Sequence, residues 1–194
     1  MQEMIMSQAQ IQEACARIGA QLDERLSKDD RLPVFLCVMK GAINFMVDLM
    51  EHVHSDIITD YIRVSSYEGL GSTGKIILKQ DVSHSLEGRT VVIVEDVVDS
   101  GLSMHYLVEH LKEKYHPKDV IVTCLIDKQA KRKIDVKVDY CGMELKEDKF
   151  LVGYGLDYKG LLRNVPYVYV PTMDEVAGWE KALSREEAAK KELR

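Results

Sequence analysis

Cysteine and tryptophan are scarce in this chain, and several familiar patterns are missing. Four cysteines, Cys15, Cys37, Cys124 and Cys141, are spread over 194 residues without a CxxC pair. A zinc cage or a redox pair needs ligands at close spacing, so neither is suggested. Three of the four sit in apolar runs and read as buried thiols in a reducing compartment. No apolar stretch approaches the ~20 residues that cross a bilayer. Met1 to Gln10 lack the basic-then-apolar profile of a secretory leader. A cytoplasmic protein without a membrane partner is expected. Positive charge is not in excess either, with 26 Lys+Arg against 32 Asp+Glu. Binding to nucleic acid depends on neutralising phosphates, so no nucleic-acid partner is expected. Lys128, Lys131, Arg132 and Lys133 form one small basic cluster. No repeat or low-complexity linker is visible, and the length suits a single domain over 1–194.

What is present is a core: 46% of the residues are hydrophobic. Ser7 is placed to cap a first helix, with Ile11, Cys15, Ile18, Leu22 and Leu26 at helical spacing. Val34 to Met39 reads as a buried strand, Lys40-Gly41 as a tight turn, and Ala42 to Val53 as a helix. Strands are predicted at 57–64, 75–79, 90–94, 120–126, 150–154 and 167–170, and a helix at 103–115. The charged stretch from Glu180 to Arg194 reads as a solvated helix or frayed tail. Apolar strands alternating with amphipathic helices predict an α/β fold, a mostly parallel twisted sheet with helices on both faces. Ligands in such sheets bind beyond the carboxyl ends of the strands, which directs attention to the loops after Met39, Val94 and Ile126.

The loop after Val94 carries the most chemistry. Glu95 and Asp96 end a β-branched run, Val97-Val98 follow, and Asp99-Ser100-Gly101-Leu102-Ser103 leads into a helix. Backbone N–H groups and hydroxyls at a helix N-terminus suit an anion such as a phosphate. Gly101 lets the backbone come close. Glu95 and Asp96 repel that anion and suit instead ribose hydroxyls or a hard cation. An ordinary strand-loop-helix with a capping serine leaves three crowded acids unexplained.

This segment resembles the phosphoribosyl-pyrophosphate signature of type I phosphoribosyltransferases, in the form of the hypoxanthine-guanine branch. Four more segments agree in order and spacing: Met39-Lys40-Gly41 with the pyrophosphate loop, Ser66-Tyr67 with the start of the lid, Asp127-Lys128 with the purine-reading lysine, and Lys149 to Tyr158 with Arg163 with the hood and its pyrophosphate arginine. The resemblance covers nearly the whole chain. Ser100 replaces a frequent Thr, Leu102 stands where relatives often carry Lys or Gly, and Leu151 replaces a common Val.

The resemblance implies the type I fold, with a core at about 30–145 and a small hood from the N-terminal and about 146–175 segments. It implies Mg²⁺, with hypoxanthine, guanine and phosphoribosyl pyrophosphate as substrates, and a homodimer or homotetramer. Glu95, Asp96, Asp99, Ser100, Gly101, Leu102 and Ser103 would hold the sugar phosphate and its hydroxyls. Lys40, Gly41 and Arg163 would hold pyrophosphate, Glu95 and Asp96 a metal beside the ribose hydroxyls, and Asp157 a second metal near the purine. Lys128, Phe150, Leu151 and Asp157 would surround the purine, with Asp99 as the base at N7. A cis peptide is implied between Met39 and Lys40. Two other readings use the same fold: an RNA-binding regulator, which wants a basic face, and a xanthine enzyme.

Other signals are set aside. Gly69 to Lys75 imitates a P-loop, but Ile76 follows where a hydroxyl is needed, and a strand follows where a helix is needed. His52 and His54 lack a third ligand and read as surface histidines. His105 and His110 read as solvent-facing, and Trp179 as a packing residue.

Overall fold

The computed structural model describes residues 2–66 and 76–192. The Gly69 to Lys75 look-alike and Tyr67 therefore lie outside the described residues. The chain order is β1 (Glu3–Met6), α1 (Gln8–Leu26), β2 (Val34–Val38), α2 (Ile43–Met50), β3 (Ile58–Ser66), β4 (Ile76–Gln80), β5 (Thr90–Val98), α3 (Leu102–Tyr115), β6 (Asp119–Lys128), β7 (Tyr140–Leu145), β8 (Val168–Val170) and α4 (Met173–Glu192). Six strands form one sheet in the order β4-β3-β2-β5-β6-β7. All neighbours pair in parallel except β3 and β4. A second, two-stranded antiparallel sheet joins β1 to β8.

Side-chain alternation divides the core. On β2, Phe35 and Cys37 face one side with α1 and α2, while Val34, Leu36 and Val38 face the other with α3. Val92 and Val94 of β5 follow the first set, and Val91 and Ile93 the second. Both faces are covered, which is why these strands read as unbroken apolar runs. The α1 helix opens on a capping box, Ser7 Oγ accepting from Gln10 N (3.3 Å) and Gln10 Oε1 from Ser7 N (2.9 Å).

From β2 the chain moves outward to β3 and β4, then returns to β5 and moves the other way to β6 and β7. The point of reversal lies between β2 and β5. A crevice therefore opens at their carboxyl ends, where the Met39–Gly41 and Glu95–Ser103 loops meet.

Several expectations need correction. Residues 150–154 do not form a strand; they contribute only two isolated bridges, Val152 with Tyr169 and Gly153 with Leu156. Gly153 and Tyr154 have φ of 94° and 48°, which no strand accommodates. The strands β1 and β7 were not expected. The run at 90–94 continues to Val98, so Glu95 and Asp96 lie inside β5. The C-terminal helix begins at Met173, behind a capping arrangement in which Glu175 Oε2 accepts from Thr172 N (2.8 Å). His110 is not solvent-facing: it stacks on Tyr106 at 6.0 Å and lies 3.4 Å from Asp81. Cys15, Cys37 and Cys124 are buried and Cys141 partly so. Burial, then the nearby Asp48, pushes the Cys15 thiol up to about 12, as burial followed by Glu95 and Asp96 does for Cys37. No helix among the described residues is long and apolar enough to cross a membrane.

Candidate active site

The crevice is built around the turn from β5 into α3. Gly101 stands at the helix start with φ 81°. A Cβ there would overlap the Ile134 carbonyl oxygen, so a side chain is excluded twice, by conformation and by space. The carbonyls of the turn are tied down from outside. Arg132 Nε donates to Asp99 O (3.0 Å), Arg132 Nη2 to Val98 O (3.2 Å), and Lys133 N and Ile134 N to Ser100 O (2.9 and 3.2 Å). Arg132 is itself paired with the buried Asp127. Carbonyls fixed on the outside leave the peptide N–H ends free to face inward. Gly101 has no side chain to cap α3, the Ser100 hydroxyl accepts only a long 3.4 Å bond from Leu102 N, and the first turn carries no acid. Those first-turn N–H groups lack intrahelical partners, which leaves an anion-binding end open. The concavity beside it, about 160 Å³, is lined by Glu95, Asp96, Asp99, Ser100, Gly101 and Ser103 among others. Leu102 does not line that concavity. Its side chain lies in a separate shallow groove with Ile134 and Tyr106.

Glu95 and Asp96 project from adjacent positions of β5. Among the described residues neither is paired with a lysine, arginine or histidine; their recorded bonds are to the neighbouring amides, Asp96 N to Glu95 Oε1 (3.0 Å) and Val97 N to Asp96 Oδ1 (2.9 Å). Protein packed around Glu95, and then the Asp96 carboxylate, push the Glu95 carboxyl well above the usual range. Asp96 also reaches across to the Met39–Gly41 turn, where a Cβ on Gly41 would overlap Asp96 Oδ2. That turn contains a cis Met39–Lys40 peptide, and Lys40 is exposed.

Asp99 is held from one side. Its Oδ2 lies 3.3 Å from Lys128 Nζ, whereas Oδ1 is buried and has no hydrogen-bond partner. Lys128 ends β6 with its side chain only 8% exposed, and it also meets Asp148 at 3.0 Å. Lys131 pairs with the other oxygen of Asp148 at 2.8 Å. The supposed basic cluster is thus largely neutralised by Asp99, Asp127 and Asp148.

The segment after β7 closes over this end of the sheet. Gly155 has φ 95° and rests on the Gly41 carbonyl, while Asn44 of α2 donates to Arg163 O (2.9 Å). Arg163 is paired with Asp157 at 2.6 Å and bonded to Gly155 O, and Gly160 N donates to Asp157 Oδ2 (2.6 Å). Phe150 is 54% exposed, whereas Leu151 is buried in the core. Ser66 is the last residue of β3. Among the described residues no three acid, histidine or cysteine side chains converge as one metal cluster. Arg132, Asp127 and Asp148 take part although no sequence signal pointed to such roles.

Comparison with known proteins agrees with this geometry. Residues 1–159 match the model of the phosphoribosyl transferase domain. The chain is 38% identical over 170 residues to the hypoxanthine-guanine phosphoribosyltransferase of Bacillus subtilis, covering 87% of this chain and 92% of that one. It is 36% identical over 169 residues to the hypoxanthine-guanine-xanthine phosphoribosyltransferase of Tritrichomonas foetus, covering 87% and 90%. A crystal structure of a hypoxanthine phosphoribosyltransferase from Staphylococcus aureus superposes with a TM-score of 0.82 at 32% identity, covering 89% of this chain and 92% of that one. The chain belongs to the phosphoribosyl transferase domain family.

Proposed function

We propose that this protein is a purine salvage transferase, joining hypoxanthine or guanine to phosphoribosyl pyrophosphate and releasing pyrophosphate. The observation that carries the reading is the state of Asp99. One oxygen is held by Lys128 and the other is buried without a partner, beside an uncapped helix start. A buried acceptor left open costs about 1–3 kcal/mol unless something donates to it. A purine N7–H beside a phosphate-anchored sugar is such a donor.

On this reading the Asp99–Ser103 turn holds the 5′-phosphate, and Asp99 accepts the N7 proton as N9 attacks C1 of the sugar. The departing pyrophosphate is held by Lys40, the Gly41 backbone and Arg163. Lys128 donates to O6 of the purine, which favours a 6-oxo over a 6-amino base. Phe150 stacks on the ring, Leu151 borders it through its backbone, and Asp157 lies near it. Ser66 and Tyr67 begin the lid, which keeps water from the sugar cation.

The chemistry of Glu95 and Asp96 fits a divalent cation: among the described residues, two adjacent carboxylates without a basic partner, the Glu95 carboxyl raised by burial and then by Asp96. When bound, Mg²⁺ neutralises pyrophosphate oxygens as they leave. Glu95 and Asp96 would hold one ion together with the ribose hydroxyls. Asp157, released from Arg163, would hold a second. The hood is taken as the β1–β8 sheet with the 146–175 segment, and the assembly as a homodimer or homotetramer.

Initial rates with hypoxanthine, guanine, xanthine and adenine test the reading. Nucleoside monophosphate from the first two, and none from adenine, is expected. Xanthine turnover above that of hypoxanthine would shift the substrate assignment, since the Tritrichomonas foetus relative is named for all three 6-oxopurines. No product with any base would remove the reading.

A further inference from the structure

The match to the family model ends at residue 159, but the chain continues into the 20-residue helix α4. Most of that helix is exposed. Its early turns are the exception, where half-buried Trp179 and Glu180 meet the hairpin 157–163. The Tyr158 hydroxyl donates to Glu180 Oε1, and Lys159 Nζ lies 2.7 Å from the same oxygen. The Trp179 and Tyr158 ring centroids are 5.5 Å apart, tilted by 43°. Tyr158 in turn meets Phe150 edge-on, at 6.0 Å and 88°. One carboxylate thus fixes two successive hairpin residues, and one indole backs the ring that backs Phe150.

We propose that α4 positions the purine end of the site, with Trp179 and Glu180 acting through Tyr158 on Phe150. This rests on the purine transferase reading given above. The physical argument is one of order before binding. Phe150 is 54% exposed, so few contacts fix its ring angle. A freely rotating ring loses rotamer entropy when a base stacks on it, and that loss subtracts from affinity. The edge contact from Tyr158 removes part of the freedom in advance, provided Tyr158 is itself held. Glu180 and Trp179 supply that hold. Neither touches the purine, so both are positioning residues, and their effect falls on the purine and spares phosphoribosyl pyrophosphate.

Trp179 is the sole tryptophan, so intrinsic fluorescence reports on it directly. In the full chain, inosine monophosphate is expected to change the emission, and pyrophosphate alone to leave it unchanged. Trp179→Leu and Glu180→Gln are each expected to raise KM for hypoxanthine roughly 2–10-fold, the range of an aromatic-pair contribution, with KM for phosphoribosyl pyrophosphate unchanged. Trp179→Phe should restore most of the loss, because a ring remains to back Tyr158. Thermal melts check that the variants are folded. Purine KM unchanged in both variants of an active parent would overturn the inference and leave the functional reading standing. So would a parallel rise in both KM values with a lowered Tm, because that marks general destabilisation. A parent chain with no transferase activity would instead remove the functional reading, and this inference with it.

Discussion

At the scale of single residues, the site is governed by how few partners its charges have. Asp99 has one cationic neighbour and one orphaned oxygen. Replacing it with Asn keeps the shape and removes the proton acceptor. Asp99→Asn should therefore lower kcat by roughly 10²–10⁴ while leaving KM for phosphoribosyl pyrophosphate near its parent value. Steady-state rates with hypoxanthine decide this, and unchanged turnover would strip Asp99 of the role. Lys128 is the complementary case. Its side chain is almost enclosed, 8% exposed, and its ammonium is shared between Asp99 and Asp148. Removing a charged donor from a hydrogen bond costs about 1.5–3 kcal/mol, so Lys128→Ala should raise purine KM roughly 10–150-fold. Asp148→Asn should act in the same direction with a smaller effect, because Asp99 still holds the lysine. Equal weakening of purine and sugar substrate by Lys128→Ala would contradict its placement at the base.

At the scale of elements, the turn between β5 and α3 works because another loop grips its outer edge. Gly101→Ala tests that grip. An L side chain at φ 81° costs about 1–2 kcal/mol in conformation alone. The added Cβ would also meet the Ile134 carbonyl and lie 3.0 Å from Arg132 Cδ, pushing the 132–134 loop off the carbonyls of Val98, Asp99 and Ser100. Phosphoribosyl-pyrophosphate affinity should fall at least ~10-fold by isothermal titration, the equivalent of one lost charged hydrogen bond. Parent-like affinity would show that the grip is irrelevant. The same elements show what a sequence can and cannot reveal. The strands β2, β5 and β6 were legible because both of their faces are covered, so each carries an apolar run through its middle, Val34–Val38, Val91–Val94 and Val120–Ile126 with Thr123 as the one hydroxyl. The strand β1 has only four residues, half of them exposed, and carries no period to read. Gly142 hid β7: it is small because α1 packs over it, and a Cβ there would lie 2.6 Å from Leu125 O and 3.3 Å from Ala14 Cβ. The run Phe150–Tyr154 looked like a strand by composition, and the two positive φ angles that bend it leave no mark in side-chain pattern. In the site, Glu95 to Ser103 could be read because the chemistry is contiguous. Arg132 and Asp148 could not, because their meaning lies in contacts with the turn and with Lys128 that only the fold creates.

At the scale of the whole molecule, a chain with formal charge −6 spends part of its excess acid as structural acceptors. Asp60 is 3% exposed on β3 and gathers the 83–84 segment, accepting from Ser83 N (2.7 Å), His84 N (2.8 Å) and Ser83 Oγ (3.0 Å). Burial alone would raise its carboxyl, but bonds from the Tyr61, His84 and Ser83 amides outweigh burial and hold it below the usual range. Burial of Asp81 is likewise outweighed by Lys114, Tyr115, Val82 and His110, which bring it down to about 2. Asp23 is lowered in the same way by His54 and Ser55. In each case the folded value lies below the unfolded one, so the unfolded chain binds the proton first. Their contribution to stability is therefore complete above the ordinary aspartate range. It is lost as the pH falls through that range towards the folded values, for Asp81 from about 4 to about 2. The share of the urea midpoint that comes from Asp23, Asp60 and Asp81 should be flat from neutral pH to about 5 and drop steeply below about 4. Asp60→Ala should cost about 1–3 kcal/mol at neutral pH, since it takes the shared acceptor from the Tyr61, Ser83 and His84 amides and the Ser83 hydroxyl, and it should flatten part of the acid limb. An acid limb identical in shape to that of the parent would mean that Asp60 titrates alike in the folded and unfolded chains, and its hydrogen-bonded carboxylate would then contribute nothing to holding the 83–84 segment against β3.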